Sequence, residues 1–512
     1  MAAPRTETTR EPPAPTGVVE SFRYAFSSPT RLRKEVLAGL TVALALIPEA
    51  IAFSILAGVD PALGLFASVI MAITIAFTGG RPAMITAATG AVALVIAPVA
   101  REYGVDYFIA TVLLAGVLQI VLAVLGVAKL QRFIPRSVMI GFVNALGILI
   151  FTAQLEHLID VPKVVYVLVA AGIAIMIGWP KLTGAIPAPL ITIIVISAVV
   201  GFAGVNVPTV SDMGELPDSL PRLFVPDVPL TLETLRIIAP YALGMAIVGL
   251  LESLMTAKLV DDITDTHSDK TRESWGQGVA NIASGLFGGM GGCAMIGQTM
   301  INVKESGART RLSTLLAGVF LLILILVLGD VVGTIPMAAL VAIMIMVSVG
   351  TFDWHSVHPR TLKFMPLSET VVMLVTVAAT LATSNLAVGV VLGVITAMIT
   401  FARRVAHLAS VEQVSAEDTT NDGLVDTRTY RIHGQLFWAS SNDLVYAFDY
   451  TDPAENIVLD LSAAEVWDAS TVATLDSVTR KFEERGKTVT IVGLDGPSKD
   501  RLDRLSGKLN SQ

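Results

Sequence analysis

Two carboxylates stand inside long apolar stretches of this sequence, and they are the residues from which chemistry has to be argued. Glu49 lies in Leu46-Ile47-Pro48-Glu49-Ala50, and Glu252 lies in Gly249-Leu250-Leu251-Glu252-Ser253-Leu254-Met255-Thr256. An ionisable group within hydrocarbon is costly, so a carboxylate retained there reads by default as a proton carrier or cation ligand. Its structural alternative is a hydrogen bond inside a helix bundle. Pro48 lacks an N–H and its ring crowds the preceding turn, which predicts a break near the middle of the first apolar helix. Thr256 follows Glu252 by one helical turn and shares its face.

Two further segments resemble each other. Gly79-Gly80 precedes Pro82-Ala83-Met84-Ile85-Thr86 and Thr89-Gly90-Ala91, and Gly291-Gly292 precedes Cys293-Ala294-Met295-Ile296-Gly297 and Gln298-Thr299. Short apolar runs interrupted in this way mark broken membrane helices whose free N-termini face a midplane site. The plainer alternative is that the glycines only let helices pack closely. Neither segment holds a Lys or Arg beyond Arg81 at the edge of the first, so an anion there would rest on backbone N–H groups and helix-end partial charge. Two ionised carboxylates nearby would repel it unless a proton or a sodium ion neutralised at least one of them. Coupled symport follows from that combination.

The elements that must position these residues are membrane helices. Of 512 residues 53% are hydrophobic and 15% charged, with a mean hydropathy of +0.70. A soluble chain could not cover that much apolar surface. Stretches such as Val36 to Val59, Ala110 to Val127 and Leu315 to Leu328 have the length and evenness of helices crossing ~30 Å of hydrocarbon, and they are too long for barrel strands. The sequence predicts an all-α polytopic membrane domain of 14 spans, arranged as a 7+7 inverted repeat. Lys and Arg collect on alternate connections, among them Arg31, Arg33, Lys34, Lys129, Arg132, Arg136, Arg309, Arg311, Arg403 and Arg404. That bias puts both termini in the cytoplasm and leaves the Pro- and Asp-rich connection from Val205 to Thr234 outside. Under the repeat, Glu49 and Glu252 sit on symmetry-related first and eighth spans.

The predicted boundaries are a disordered cytoplasmic tail over 1–30, the transporter domain over 31–408, a linker over 409–423 and a small α/β domain over 424–512. The Pro-rich tail lacks the apolar core of a secretory signal. In the last domain Tyr430 to Trp438, Asn456 to Leu461 and Val489 to Leu494 alternate as strands, and Thr471 to Glu484 and Lys499 to Leu505 read as helices. A single cysteine, Cys293, excludes an internal disulfide, and the six histidines show no metal-like spacing, so no cofactor or metal is expected. A net charge of −8 offers nucleic acid no basic face. No nucleophile–base set is visible, which argues against an enzyme.

Several of these residues together resemble one family. Gly39-Leu40-Thr41 with Ile47-Pro48-Glu49-Ala50-Ile51-Ala52-Phe53, then Gly64-Leu65-Phe66-Ala67-Ser68, Gly276-Gln277-Gly278-Val279-Ala280-Asn281, and Asn302 followed by Gly307-Ala308-Arg309-Thr310, are similar to the SulP anion transporters. Leu459-Asp460-Leu461-Ser462 and Asp468-Ala469-Ser470-Thr471 look like the strand and helix start of a STAS domain. The resemblance implies core and gate domains with substrate between the half-helices of the third and tenth spans. It places Glu49, Phe53, Thr89, Gly90, Ala91, Gln298 and Thr299 around the substrate, and Glu49, Glu252 and Thr256 at the coupling ion. It also implies a homodimer in the inner (plasma) membrane, surrounded by lipid, and a regulatory partner at the STAS domain.

Two departures shape the expected function. Many members have arginine at Gln298, which weakens the case for capture of doubly charged sulfate. Many exchangers have glutamine at Glu49, which favours proton-coupled symport, with H+ ahead of Na+ as the coupling ion. The expected substrate is a small anion, a dicarboxylate first. Sodium-coupled bicarbonate or sulfate transport and anion exchange are the alternatives, and a membrane-anchored regulatory STAS protein is the alternative of another class. Asp468 reads as a helix N-cap with Ser470 in the first turn rather than as part of a phosphorylation site.

Overall fold

The computed structural model describes residues 15–126, 134–182, 187–214, 219–406, 409–417, 426–441 and 444–508. These fall into two compact units, up to Val394 and from Ile395.

In the first unit the order is α1 (Val18–Phe26), α2 (Pro29–Ala57), α3 (Pro61–Thr78), β1 (Thr86–Ala88), α4 (Gly90–Tyr103), α5 (Val105–Val124), α6 (Arg136–Glu156), α7 (Lys163–Leu182), α8 (Ala188–Ala203), α9 (Leu232–Thr264) and α10 (Lys270–Leu286). There follow β2 (Gly292–Ala294), α11 (Ile296–Met300, continued by a π-helical turn over Ile301–Glu305), α12 (Arg311–Gly333), α13 (Met337–Thr351), α14 (Pro359–Phe364), α15 (Leu367–Thr383) and α16 (Leu386–Ala406), whose residues from Ile395 belong to the second unit. Among the described residues, eight helices are long and apolar enough to cross a membrane, and α8, α13 and α15 are shorter apolar helices.

The helices form two packing sets, as core and gate domains require. In one set α2, α3 and α12 pack on each other, α10 packs on α3 and α5, and α9 packs on α4 and α5; in the other α6 packs on α13 and α15, and α7 on α8 and α13. Without a hydrophobic drive between helices in lipid, small residues decide where backbones can approach. The α5–α10 crossing shows this: a Cβ on Gly116 would stand 2.7 Å from the Gly278 carbonyl, and one on Gly278 2.6 Å from the Gly116 carbonyl. Alanine at either position would push the two helices apart.

Three local expectations need correction. Pro48 does not break the first span, since α2 runs from Pro29 to Ala57 straight through it. Missing one N–H costs a single ladder bond, and a buried helix with packed neighbours tolerates it. The expected tail is helical at α1, where Phe22 stacks on Phe77 at 5.7 Å between ring centres and the Arg311 amide donates to the Ser21 hydroxyl at 3.1 Å. The expected linker begins as a strand, β3 (Ser410–Glu417). Residues 1–14, 418–425, Lys129 and Arg132 lie outside the described residues.

The second unit holds β3, β4 (Thr427–Leu436), α17 (Trp438–Ser441), β5 (Asn456–Val466), α18 (Ala469–Glu483), β6 (Thr488–Val492) and α19 (Gly496–Leu505). The sheet order is β3-β4-β5-β6, antiparallel between β3 and β4 and parallel thereafter. Tyr430, Ile432, Leu459, Leu461, Val472, Leu475 and Phe482 share its core. Alternation along β4 and β5 and the helical spacing of α18 send these side chains to one face. Asp468 caps α18, accepting from the Thr471 amide at 2.9 Å.

Candidate functional site

The site begins at a two-stranded crossing. β1 and β2 pair antiparallel, with Thr86 opposite Ala294, Ala87 opposite Cys293 and Ala88 opposite Gly292. Each strand feeds a helix, so α4 starts at one end of the crossing and α11 at the other. The first ladder bonds run from Ala93 N to Thr89 O and from Thr299 N to Met295 O. The amides of Gly90, Ala91 and Val92, and of Ile296, Gly297 and Gln298, therefore precede the ladder, and neither helix has a side-chain cap. Both helix starts leave N–H groups and positive partial charge free for an anion.

The glycine pairs serve the close approach that was the plainer reading. A Cβ on Gly80 would lie 2.0 Å from the Asp269 carbonyl, and one on Gly292 2.0 Å from the Ala87 carbonyl. Buried amides braced against these turns have their partners: Gly80 N and Arg81 N donate to Glu273 at 2.8 and 3.0 Å, and Gly292 N donates to Asn281 at 2.9 Å. Packing and chain break are thus one device, in which glycines let the half-helices start deep inside the protein.

A cavity of about 440 Å³ opens where the two helix starts converge. Glu49 and Phe53 of α2, Thr89, Gly90 and Ala91 at the start of α4, Glu252 of α9, and Met295 through Gln298 at the start of α11 form one wall. Phe142, Leu146 and Ile150 of α6 and Val347, Gly350 and Thr351 of α13 face them from the other packing set. Among the described residues, no Lys or Arg lines this cavity. Gln298 and Glu49 line the same wall of the cavity, and the Cys293 thiol donates to Glu252 Oε2 at 2.9 Å.

Glu49, Phe53, Thr89, Gly90, Ala91, Gln298 and Glu252 all reach the cavity, whereas Thr299 and Thr256 stand behind its wall. Thr299 Oγ1 accepts from the Ile85 amide at 3.0 Å. Thr256 donates to its own turn at Glu252 O, 2.9 Å away, and faces Ala294 O at 3.3 Å. The neighbouring Ser253 hydroxyl accepts from the Ala294 amide at 3.0 Å, so α9 is tied to β2 twice within the turn that follows Glu252.

Sequence reasoning missed Cys293 and the α6 and α13 wall. The cysteine lies inside the broken segment already singled out, so its place was available even though its contact was not. The wall residues carried no signal, being apolar side chains in apolar spans.

Comparison with known proteins places this architecture. The Sulfate permease family model matches residues 32–169 and 171–376, and the STAS domain model matches residues 415–507. A Bacillus subtilis (strain 168) protein named "Putative sulfate transporter YbaR" is 49% identical, over 93% of this chain and 97% of its own. The "Bicarbonate transporter BicA" of Picosynechococcus is 27% identical, over 93% of this chain and 91% of its own. Among solved structures, the murine Slc26a9 anion transporter in its inward-facing state shares the fold at a TM-score of 0.81 and 16% identity, covering 98% of this chain and 92% of that one. The transmembrane domain of a cyanobacterial BicA aligns at a TM-score of 0.62 and 24% identity, over 72% of this chain and 98% of that one.

Proposed function

Because the chain belongs to the sulfate permease family, we propose that it is a secondary transporter that carries a small anion together with a proton. The observation that carries this reading is a cavity with two carboxylates, two uncapped helix starts and, among the described residues, no basic side chain in its lining. An anion about 4 Å from an ionised carboxylate, at an effective dielectric near 20, is repelled by roughly 4 kcal/mol, close to a thousandfold in affinity. Two ionised carboxylates together cost about 8 kcal/mol, whereas two helix N-termini return at most about 4 kcal/mol. Repulsion therefore wins unless a cation joins, and a proton is the cation that fits a carboxylate without further ligands. Glu49, which faces the substrate space beside Gln298, is the carrier in this account.

The same balance bears on the substrate. Without a basic residue, a second negative charge on the anion has nothing to pair with, so a dicarboxylate would enter as its singly protonated form. Bicarbonate is the second reading, favoured by the same missing cation and by the relative named for it. The positive bias of the connections supports an orientation with both termini in the cytoplasm, and we extend the proposal to a plasma-membrane homodimer whose STAS domain meets a regulatory partner.

The test is uptake into proteoliposomes of labelled dicarboxylate, bicarbonate, sulfate and chloride, each with and without an inward proton or sodium gradient. Accumulation driven by the proton gradient alone supports the reading. Accumulation that follows only sodium, or exchange indifferent to both gradients, overturns it.

A further inference from the structure

Cys293 does more than pack. It is fully buried at the β1–β2 crossing, and its sulfur is the middle of a chain of contacts. Thr89 Oγ1 lies 3.1 Å from Sγ, and Sγ donates to Glu252 Oε2 at 2.9 Å. One end of that chain, Thr89, is the N-cap of α4 on the cavity wall. The other end is the carboxylate on α9, which lines the same cavity.

We propose that Cys293 is a positioning residue that holds the Glu252 carboxylate through its thiol and so sets the pH at which Glu252 exchanges a proton with the cavity. The direction of the bond decides the effect. An S–H donor matches a bare carboxylate oxygen, so it stabilises the ionised form of Glu252 against the protonated one. Thr89, whose hydroxyl can donate to the sulfur, sharpens the orientation of the thiol from the side of the substrate cradle. Hydroxyl, thiol and carboxylate thus form one line from the start of one half-helix to the Glu252 side chain of α9.

Few other groups compete for Glu252. Glu49 of α2 shares the cavity and is the second titratable side chain there. The elements packed on α9 carry their charged residues at their ends: Arg101 and Glu102 close α4, Asp106 opens α5, and Lys270, Arg272 and Glu273 open α10. β2 contributes Cys293 itself, and α11 contributes no charged side chain. The thiol is therefore the nearest adjustable donor to this carboxylate.

The proposal rests on proton coupling, and two readouts separate its failure from failure of that premise. The chain has one cysteine, so the infrared S–H stretching band of the purified full-length protein belongs to Cys293 alone. In the parent that band should lie on the hydrogen-bonded side and move as pH is varied through the titration of Glu252; in Glu252→Gln it should become indifferent to pH. A parent band at the position of a free thiol, unmoved by pH, overturns the proposal whatever the transport data show. The second readout is the pH profile of uptake of labelled bicarbonate and of labelled hydrogen-dicarboxylate. Cys293→Ala should raise the pH of half-maximal uptake by about one unit, roughly tenfold in proton concentration, because a donor to a charged group is lost. Cys293→Ser, which keeps a donor, should restore most of the parent profile. Equal profiles for all three proteins overturn the proposal, and should the alanine variant not fold, the serine variant and the parent band still decide.

Discussion

The Thr299 hydroxyl accepts the Ile85 amide proton at 3.0 Å, and this bond ties the first turn of one half-helix to the strand that feeds the other. A residue expected beside the substrate turns out to be a brace. Its wall position follows from the helix: Gln298 points into the cavity, so the next residue, about 100° further round, points away from it. Thr299→Val keeps the shape and removes the acceptor from a buried amide, which should cost about 1–3 kcal/mol of stability. Thermal unfolding in detergent should show that loss with the ranking of substrates unchanged. A variant as stable as the parent but with a new ranking would put Thr299 in the cavity after all.

Gln298→Arg tests the opposite wall position. A guanidinium there would add charge-assisted bonds to an oxyanion and would pair with Glu49, which lines the same wall of the cavity. Uptake should lose much of its dependence on pH, and counterflow with substrate trapped inside should rise relative to net uptake. Sulfate should gain on monovalent anions. An unchanged pH profile together with an unchanged ranking would remove Gln298 from the site.

Gly350 bears on selectivity from the gate side. It lines the cavity, and a Cβ built on it meets nothing within 4 Å. Gly350→Leu should fold at least as well as the parent, since glycine inside a helix costs about 1 kcal/mol relative to a good helix former. The added side chain should exclude larger anions first, so dicarboxylate uptake should fall at least several-fold more than bicarbonate uptake. Equal losses for both would mean that the side chain blocks a movement rather than filling the substrate space.

The sequence made the frame of this site legible and left its furniture hidden, for physical reasons. Glu49 and Glu252 stood out because charge in hydrocarbon is rare. The paired Gly79-Gly80 and Gly291-Gly292 segments stood out because a broken span interrupts an otherwise even apolar run. Pro48 misled, since a proline reports one missing hydrogen bond and tertiary packing decides whether the helix bends around it. Phe142, Ile150 and Val347 could not be told from lipid-facing residues, because the core of a bundle and the hydrocarbon around it ask for the same side chains. Cys293 was read only as an unpaired cysteine, since a thiol's partner is a matter of three-dimensional register.

In the C-terminal unit, Asp460 gives a pH prediction outside the membrane. The Ser462 hydroxyl, then the Arg431 guanidinium and the Ser462 amide, hold its carboxyl at about 2, below the usual 3.8. A depressed folded-state value means that the stabilisation is fully present above about pH 4 and is lost as pH falls through the folded value near 2. Arg431→Ala removes the bond at 2.9 Å and should shift acid unfolding of a fragment spanning residues 409–512 to higher pH, while leaving its stability at pH 10 less affected than that of Arg428→Ala, which exposes the more buried Asp452. Identical acid transitions for the parent and Arg431→Ala fragments would mean that the Arg431 pair adds nothing in solution.

The central claim is that Glu49 carries a proton with the anion, and proton movement itself tests it most directly. Proteoliposomes loaded with a pH-sensitive dye are given an inward gradient of the anion selected by the uptake screen, with no imposed pH gradient and the membrane potential clamped. The parent should acidify the lumen as substrate enters. Glu49→Gln should fold, still support counterflow of labelled substrate, and leave the luminal pH unchanged. Acidification that persists in Glu49→Gln, or substrate entry into parent vesicles with no change in luminal pH, would contradict the account.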